Sequence, residues 1–150
     1  DLLQPVYQRS GKRDGYVSLE VSPDIADQTR ATIDEARRLW GRVARPNLMV
    51  KVPGTNAGMP AIRALVASGI NVNVTLLFSI AQYRRTAYAY FDGVEDALRN
   101  GVPPGVSVAS FFLSRIDTHV DRHLDAVRAP RATAMTRPTS PAQPATCRTR

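Results

Sequence analysis

The chain has 150 residues, a hydrophobic content of 43% that is typical of globular proteins, and a formal net charge of +7. Its length suits one domain with a single core, and no apolar run approaches the roughly 18–20 residues of a membrane-spanning helix. Four arginines beyond Ala129 supply much of the charge, because residues 1–128 contain 16 basic and 13 acidic side chains, a net charge of +3. With no basic stripe interleaved with aromatics, this balance argues against nucleic acid as a partner.

The cysteine content and the first residues of the chain indicate its subcellular compartment. The single cysteine, Cys147, excludes an internal disulfide and fits a reducing environment. Residues 1–5 have neither the basic segment nor the apolar core of a signal peptide. We therefore expect a cytoplasmic protein with no membrane partner.

The first part of the chain predicts one strand and one helix. Residues 1–15 are polar and rich in turn residues, so no regular element is expected there. Apolar and polar side chains alternate over residues 16–21, which predicts a strand. Ser22-Pro23 is typical of a helix start, and apolar residues at helical spacing predict a helix over about residues 27–43, with Trp40 in the core.

A second strand carries the most informative residue of the chain. Residues 48–53 form an apolar run that is interrupted by Lys51 and ends at a Pro-Gly turn. A lysine desolvated in a strand is shifted toward its neutral amine, which can attack a carbonyl and form a Schiff base. The alternatives are that Lys51 lies on a half-exposed edge strand, or that its side chain extends so that the ammonium group reaches water.

The remaining elements continue the alternation of strands and helices. Clean period-two alternation predicts a strand over residues 70–75, and Ser79 is a suitable N-cap for the helix that follows. The predicted elements are, in order, a helix over residues 59–68 closed by Gly69, the strand 70–75, a helix from Ile80 to Tyr90, a second helical piece over 94–98, a strand over 106–112 and a helix over 116–127.

Four successive strand–helix units predict an α/β fold with parallel strands and right-handed crossovers. Polar residues gather near the carboxyl ends of the strands, where (β/α) barrels keep their active sites. Four units make half of an eight-unit TIM barrel, so we predict a partial barrel over residues 1–128. A small doubly wound sheet also fits, but residues 54–58 match its Gly-rich phosphate loop poorly. The Pro-, Thr- and Arg-rich residues 129–150 predict a disordered tail, with a short recognition arm for an acidic partner as the alternative.

Several polar side chains then fall at one end of the predicted sheet. A Schiff-base aldol reaction needs a desolvated amine, an acid/base and neutral donors for substrate hydroxyls. Each side chain also has a structural alternative, such as a solvated strand end or a helix-face ion pair. His119 and His123 are spaced as a metal pair on a helix, but no third ligand is placed and we expect both to be solvated. The candidate set is Glu20, Lys51, Asn73, Thr75, Ser110 and Arg115.

Four segments together resemble the core motifs of bacterial transaldolases: residues 17–21, 48–55, 70–79 and 110–116. The Asn-x-Thr-Leu-Leu-Phe-Ser run, combined with the lysine strand, is highly specific. The resemblance covers about residues 1–128 in the right order and corresponds to the third to sixth units of the family's barrel.

The resemblance implies transfer of a dihydroxyacetone unit between sugar phosphates in the pentose phosphate pathway, without a metal or organic cofactor. Lys51 matches the Schiff-base lysine, and Glu20 matches the glutamate that acts through a catalytic water. Asn73, Thr75 and Ser110 match the residues that hold this water and the donor's hydroxyls. Arg115 matches an active-site arginine.

The same resemblance also implies missing parts. An acid/base aspartate is expected on a strand before Tyr16, and a phosphate-binding arginine on a later strand, so we expect a truncated chain with weak or no activity. A half-barrel exposes two strand edges, and we expect it to be marginally stable or to self-associate. The functional alternatives are a Schiff-base aldolase that cleaves without transfer and a non-catalytic half-barrel that pairs with another chain.

Overall fold

The computed structural model describes residues 1–128, so the predicted tail over residues 129–150 lies outside the described residues. Strands and helices alternate along them, as predicted from the sequence. The strands are Val17–Glu20 (β1), Leu48–Pro53 (β2), Val72–Leu77 (β3) and Ser107–Phe111 (β4). The helices are Gln4–Arg9 (α1), Thr29–Val43 (α2), Gly58–Ala67 (α3), Ile80–Arg99 (α4) and Leu113–Arg128 (α5), with a 3₁₀ turn at Pro23–Ile25 before α2.

The four strands form one open parallel sheet in the order β1-β2-β3-β4. Every neighbouring pair is parallel, and the helix between each two strands makes the crossover. This topology confirms the predicted partial (β/α) barrel: four consecutive units with β1 and β4 as edge strands. None of the helices in residues 1–128 is long and apolar enough to cross a bilayer.

The core lies between the sheet and helices α2 to α4. Side chains on this face of β2 and β3 are completely buried, as expected for central parallel strands covered by helices. Helix α2 contacts β2, α3 contacts both β2 and β3, and α4 contacts β3. Each of these helices therefore packs against the strand that follows or precedes it. The fully buried larger residues here are Val50, Val52, Ile62, Leu65, Val66, Val72, Val74 and Leu77.

Helix α4 corrects one prediction, because it runs unbroken from Ile80 to Arg99 rather than as two pieces. Ser79 caps it as predicted, by accepting a hydrogen bond from the Gln82 amide. Gly93 lies where α4 approaches α3, and a Cβ there would be 2.8 Å from the Arg63 carbonyl oxygen. Arg63 also donates to Asp96 across this contact at 2.6 Å, and the hydrogen bond lowers the pKa of Asp96. Tertiary packing thus outweighs the weak helix propensity of glycine.

Helix α1 is the second correction, since no element was expected in residues 1–15. Its Tyr7 is buried and packs edge-on against Tyr16, with ring centroids 5.2 Å apart. Burial raises the pKa of the Tyr16 phenol. The predicted third strand begins two residues later than expected, at Val72, because Gly69 (φ +75°) forms the turn out of α3 and the Ile70 amide still donates to the Leu65 carbonyl oxygen.

The carboxyl end of β3 is irregular. The pairing of β3 with β4 shifts register between Val74 and Leu77, and Leu76 has a left-handed backbone with φ +60°. Side chains other than glycine and asparagine rarely adopt this conformation, and it marks a point held by its surroundings. The irregularity directly follows Thr75, one of the candidate site residues.

Candidate active site

Lys51 lies on a central strand. Strand β2 is paired on both sides, by β1 and β3, so the edge-strand alternative for Lys51 is wrong. Its side chain is only 26% exposed, and its Nζ atom lies 3.4 Å from Oε2 of Glu20. The register pairs Glu20 directly with Lys51, which accounts for the contact between them.

Asn73 continues this row on the next strand. It is paired with Lys51 in the register of β2 and β3, so the three side chains point to the same face. Its Nδ2 amide donates to Ser18 Oγ at 2.9 Å, and Ser110 Oγ donates to its Oδ1 at 2.7 Å. A hydrogen-bonded chain of three side chains therefore crosses the sheet from β1 to β4.

Ser18 is a member of this group that was not among the predicted site residues. It lies two positions before Glu20 on β1 and hence on the same face. That alternation was visible in the sequence, but it could not show that Ser18 bonds to a residue two strands away. The signal is the cross-strand register, which only the fold supplies.

Thr75 shares the Lys51 face by register, because it is paired with Pro53, two positions after Lys51. Its side chain is completely buried, and its Oγ1 has no hydrogen-bond partner within the described residues. A buried hydroxyl without a partner costs about 1–3 kcal/mol. No hydrogen bond joins Thr75 to the other candidates in residues 1–128, so it lies beside the chain of contacts rather than in it.

Arg115 lies at the margin of the group, in the first turn of α5. Its guanidinium carbon is 4.5 Å from the centroid of the Phe112 ring, a cation–π distance. The same ring is 5.8 Å from Lys51 Nζ and stacks on Phe78 with centroids 5.9 Å apart. Among the described residues Arg115 forms no ion pair, which disfavours the helix-face ion pair considered as its alternative.

The two histidines lie apart from this group, on the exposed surface of α5. The rings of His119 and His123 are 4.8 Å apart, and both side chains are exposed, as expected. No group of three or more His, Cys, Asp or Glu side chains suited to a metal ion occurs in residues 1–128. The chemistry available at the candidate site is that of an amine, a carboxylate, hydroxyls, an amide and a guanidinium.

An amine next to a carboxylate, faced by neutral hydrogen-bond donors, is the arrangement that imine chemistry on a polyol requires. The family model described as Transaldolase/Fructose-6-phosphate aldolase matches residues 1–143. The chain belongs to this family. The match runs past residue 128, the predicted end of the half-barrel, into residues outside the described part.

Curated proteins named transaldolase support the same family membership. The chain is 55% identical over 128 residues to "Transaldolase 2" of Nostoc sp. (strain PCC 7120), which covers 84% of this chain and 34% of the relative. It is 55% identical over 126 residues to "Transaldolase" of Thiobacillus denitrificans, covering 83% and 35%. With "Transaldolase" of Thermobifida fusca the identity is 49% over 137 residues, covering 90% and 37%. The chain thus spans about a third of the length of these relatives, and its predicted membership of the transaldolase family is confirmed.

Proposed function

We propose that this chain carries the Schiff-base half of a transaldolase active site. The reaction moves a dihydroxyacetone unit from a ketose phosphate, sedoheptulose 7-phosphate or fructose 6-phosphate, to glyceraldehyde 3-phosphate or erythrose 4-phosphate. The observation that carries the proposal is the pairing of Lys51 with Glu20 on neighbouring strands, facing the hydrogen-bonded Asn73. The proposal includes the pentose phosphate pathway and the cytoplasm as its setting.

Lys51 is the nucleophile in this proposal. Its neutral amine attacks the C2 carbonyl of the ketose, and loss of water from the carbinolamine gives the imine. In the family's complete reaction, the protonated imine accepts the electrons of the breaking C3–C4 bond while the acid/base expected on a strand before Tyr16 takes the C4 hydroxyl proton, so an aldose phosphate leaves and an enamine remains on the lysine. The enamine carbon then attacks the acceptor aldehyde, and water releases the new ketose. Partial burial of Lys51 and its position in the sheet support this role.

Glu20 and Thr75 are the residues that we assign to proton transfer. The Glu20 carboxylate next to Lys51 is close enough to move protons during formation and hydrolysis of the carbinolamine, through a water. The buried Thr75 hydroxyl, which has no partner in residues 1–128, supports a role in holding that water. No metal or organic cofactor takes part in this chemistry.

Substrate binding falls to the remaining residues. Asn73 and Ser110 are hydrogen-bonded to each other and supply an amide and a hydroxyl for the hydroxyl groups of the donor. Arg115 is exposed and not in an ion pair within the described residues, so it is available to a phosphate or hydroxyl of the substrate. A second candidate is aldol cleavage without transfer, since the family model names both activities. Adding an aldose phosphate acceptor and looking for a longer ketose separates the two.

Borohydride trapping tests the imine directly. The chain is incubated with fructose 6-phosphate, reduced, and analysed by intact mass and peptide mapping. We expect an adduct on Lys51 that retains the whole ketose phosphate, because the family's acid/base for carbon–carbon cleavage is expected on a strand before Tyr16. A three-carbon adduct would instead show that cleavage occurs.

The chain offers a matched control, because it contains only two lysines, Lys12 and Lys51. The variant Lys12→Ala should keep the adduct, and Lys51→Ala should lose it. Lys51→Arg should also lose the adduct, although it keeps the positive charge next to Glu20, because a guanidinium does not form an imine. An adduct of equal yield in Lys51→Ala would contradict the proposal.

A further inference from the structure

The side chain of Gln82, in the first turn of α4, reaches further than a helix cap requires. Ser79 and Gln82 have the Ser-x-x-Gln spacing of a capping box, and the Ser79 hydroxyl accepts a hydrogen bond from the Gln82 backbone amide. In a capping box the glutamine side chain returns to the backbone amide of the cap residue. Here it extends past Ser79 to the ends of two strands.

The Gln82 carboxamide forms three hydrogen bonds to backbone groups at these strand ends. Its Oε1 atom accepts from the Phe78 amide at 3.1 Å. Its Nε2 atom donates to the Gly54 carbonyl oxygen at 2.8 Å and to the Leu76 carbonyl oxygen at 3.1 Å. Gly54 directly follows β2, and Leu76 lies in β3. One side chain, using both an acceptor and its two donor hydrogens, therefore joins the carboxyl ends of the two central strands.

These contacts hold the least regular backbone of the sheet. Leu76 has a left-handed φ of +60°, a conformation that persists in leucine only where the surrounding contacts enforce it. The hydrogen bond from Gln82 to the Leu76 carbonyl oxygen is one such contact. The Gly54 amide also donates to the Thr75 carbonyl oxygen at 2.8 Å, so the two strand ends are in direct contact as well. Gln82 thus supports both the irregular end of β3 and the turn that ends β2.

The two strand ends carry residues of the candidate active site. Lys51 on β2 and Thr75 on β3 each lie within three residues of a backbone group that is bonded to Gln82. The ring of Phe78, whose amide donates to Gln82, stacks on Phe112, and the Phe112 ring is 5.8 Å from Lys51 Nζ. Within the described residues Gln82 forms no hydrogen bond to the side chain of Lys51 or Thr75. Any effect of Gln82 on the chemistry is therefore exerted through the backbone.

We infer that Gln82 is a positioning residue for the Lys51 site. Its carboxamide fixes the carboxyl ends of β2 and β3 relative to each other, and so holds Lys51 in place relative to Thr75 and the Phe78 ring. The inference rests on the proposed imine chemistry of Lys51. It assigns Gln82 no contact with the substrate and no step of proton transfer.

The substitution Gln82→Glu separates this role from helix capping. Glutamate and glutamine serve equally at this position of a capping box, so the variant keeps the cap of α4 and the acceptor for the Phe78 amide. An ionised carboxylate has no hydrogen to donate, and it would lie against the Gly54 and Leu76 carbonyl oxygens. The variant therefore removes the connection between the strand ends and leaves the helix start intact.

Amide hydrogen exchange of the full chain, resolved by NMR, tests the connection without any substrate. In Gln82→Glu the Phe78 amide should stay protected, whereas the Gly54 amide should exchange about tenfold faster, because its bond to Thr75 opens with the strand ends. In Gln82→Leu both amides should exchange about tenfold faster. The matched control is Gln8→Glu, an exposed glutamine of α1 without a side-chain hydrogen bond in residues 1–128, which should change neither rate. Unchanged exchange at Gly54 in both Gln82 variants would overturn the inference.

Schiff-base trapping with fructose 6-phosphate tests the consequence for Lys51. In Gln82→Glu the maximal trapping rate should fall about tenfold, while the half-saturating ketose concentration changes by less than about twofold, because Gln82 is not among the substrate-binding groups. Circular dichroism at the same temperature confirms that each variant is folded. A maximal rate equal to that of the parent chain would overturn the positioning role. Absence of an adduct in the parent chain would instead contradict the proposed function, and exchange at the Gly54 amide would still decide whether Gln82 holds the strand ends.

Discussion

At the level of single residues, the site is built from hydrogen bonds that cross the sheet. The Asn73 amide lies between Ser18 on β1 and Ser110 on β4, so it is held from both sides. Lys51 and Glu20 lie on the same face and form an ion pair with each other, and no hydrogen bond joins either of them to this amide in the described residues. The orientation of the Asn73 amide beside Lys51 therefore depends on two hydroxyl groups, of which Ser18 has no role of its own in the proposed chemistry.

The variant Ser18→Ala tests this dependence. It should lower the free energy of unfolding by about 1 kcal/mol, because the Asn73 amide loses one acceptor. It should also slow Schiff-base trapping on Lys51 by about tenfold, since a displaced donor no longer holds the ketose in the reactive pose. Thermal unfolding and the time course of adduct formation measure the two effects.

Two further variants separate positioning from a general loss of stability. Ser18→Thr keeps the hydroxyl and should recover most of the trapping rate. Ser107→Ala removes a hydroxyl from the other face of β4, where Ser107 is paired with the buried Val72, and should leave the rate unchanged. Equal trapping rates in Ser18→Ala and the parent chain would show that Ser18 has no positioning role.

At the level of secondary structure, the alternation of side chains predicted most of the sheet. The alternation over residues 70–75 places Ile70, Val72 and Val74 on one face, and all three are buried in the core. The sequence could not show where α4 continued, because local propensity at Gly93 favours a break whereas packing against α3 favours a helix. Helix α1 was missed for a similar reason: its six residues are stabilised by burial of Tyr7, a tertiary contact.

Candidate residues on regular strands were likewise easier to place than those at irregular ends. Glu20, Lys51 and Asn73 share a face because the strands pair in register. The alternation of apolar and polar residues along each strand already predicts which of its side chains share a face. The complete burial of Thr75 beside the left-handed Leu76 has no signature in the sequence, since any such backbone depends on its surroundings. The hydrogen bond between Ser18 and Asn73 could not be predicted without knowing the order of the strands in the sheet.

Close packing of α4 against α3 at Gly93 predicts that alanine substitutions at two glycines change the free energy of unfolding in opposite directions. Gly93→Ala should destabilise the chain by about 1–3 kcal/mol, because its Cβ would lie 2.8 Å from the Arg63 carbonyl oxygen and 2.9 Å from the Val66 Cβ. Gly41→Ala on α2 meets nothing within 4 Å and should stabilise by up to about 1 kcal/mol. Urea unfolding of both variants measures the difference, and stabilisation by both would contradict close packing of α3 against α4.

At the level of the whole molecule, the four-unit sheet has a well-covered centre and uncovered ends. The core between α2, α3, α4 and the central strands contains completely buried side chains, whereas β1, β4 and α5 retain large exposed apolar residues. Stability is therefore concentrated in the middle of the described chain. Any partner that covers the ends adds its binding free energy to that of folding.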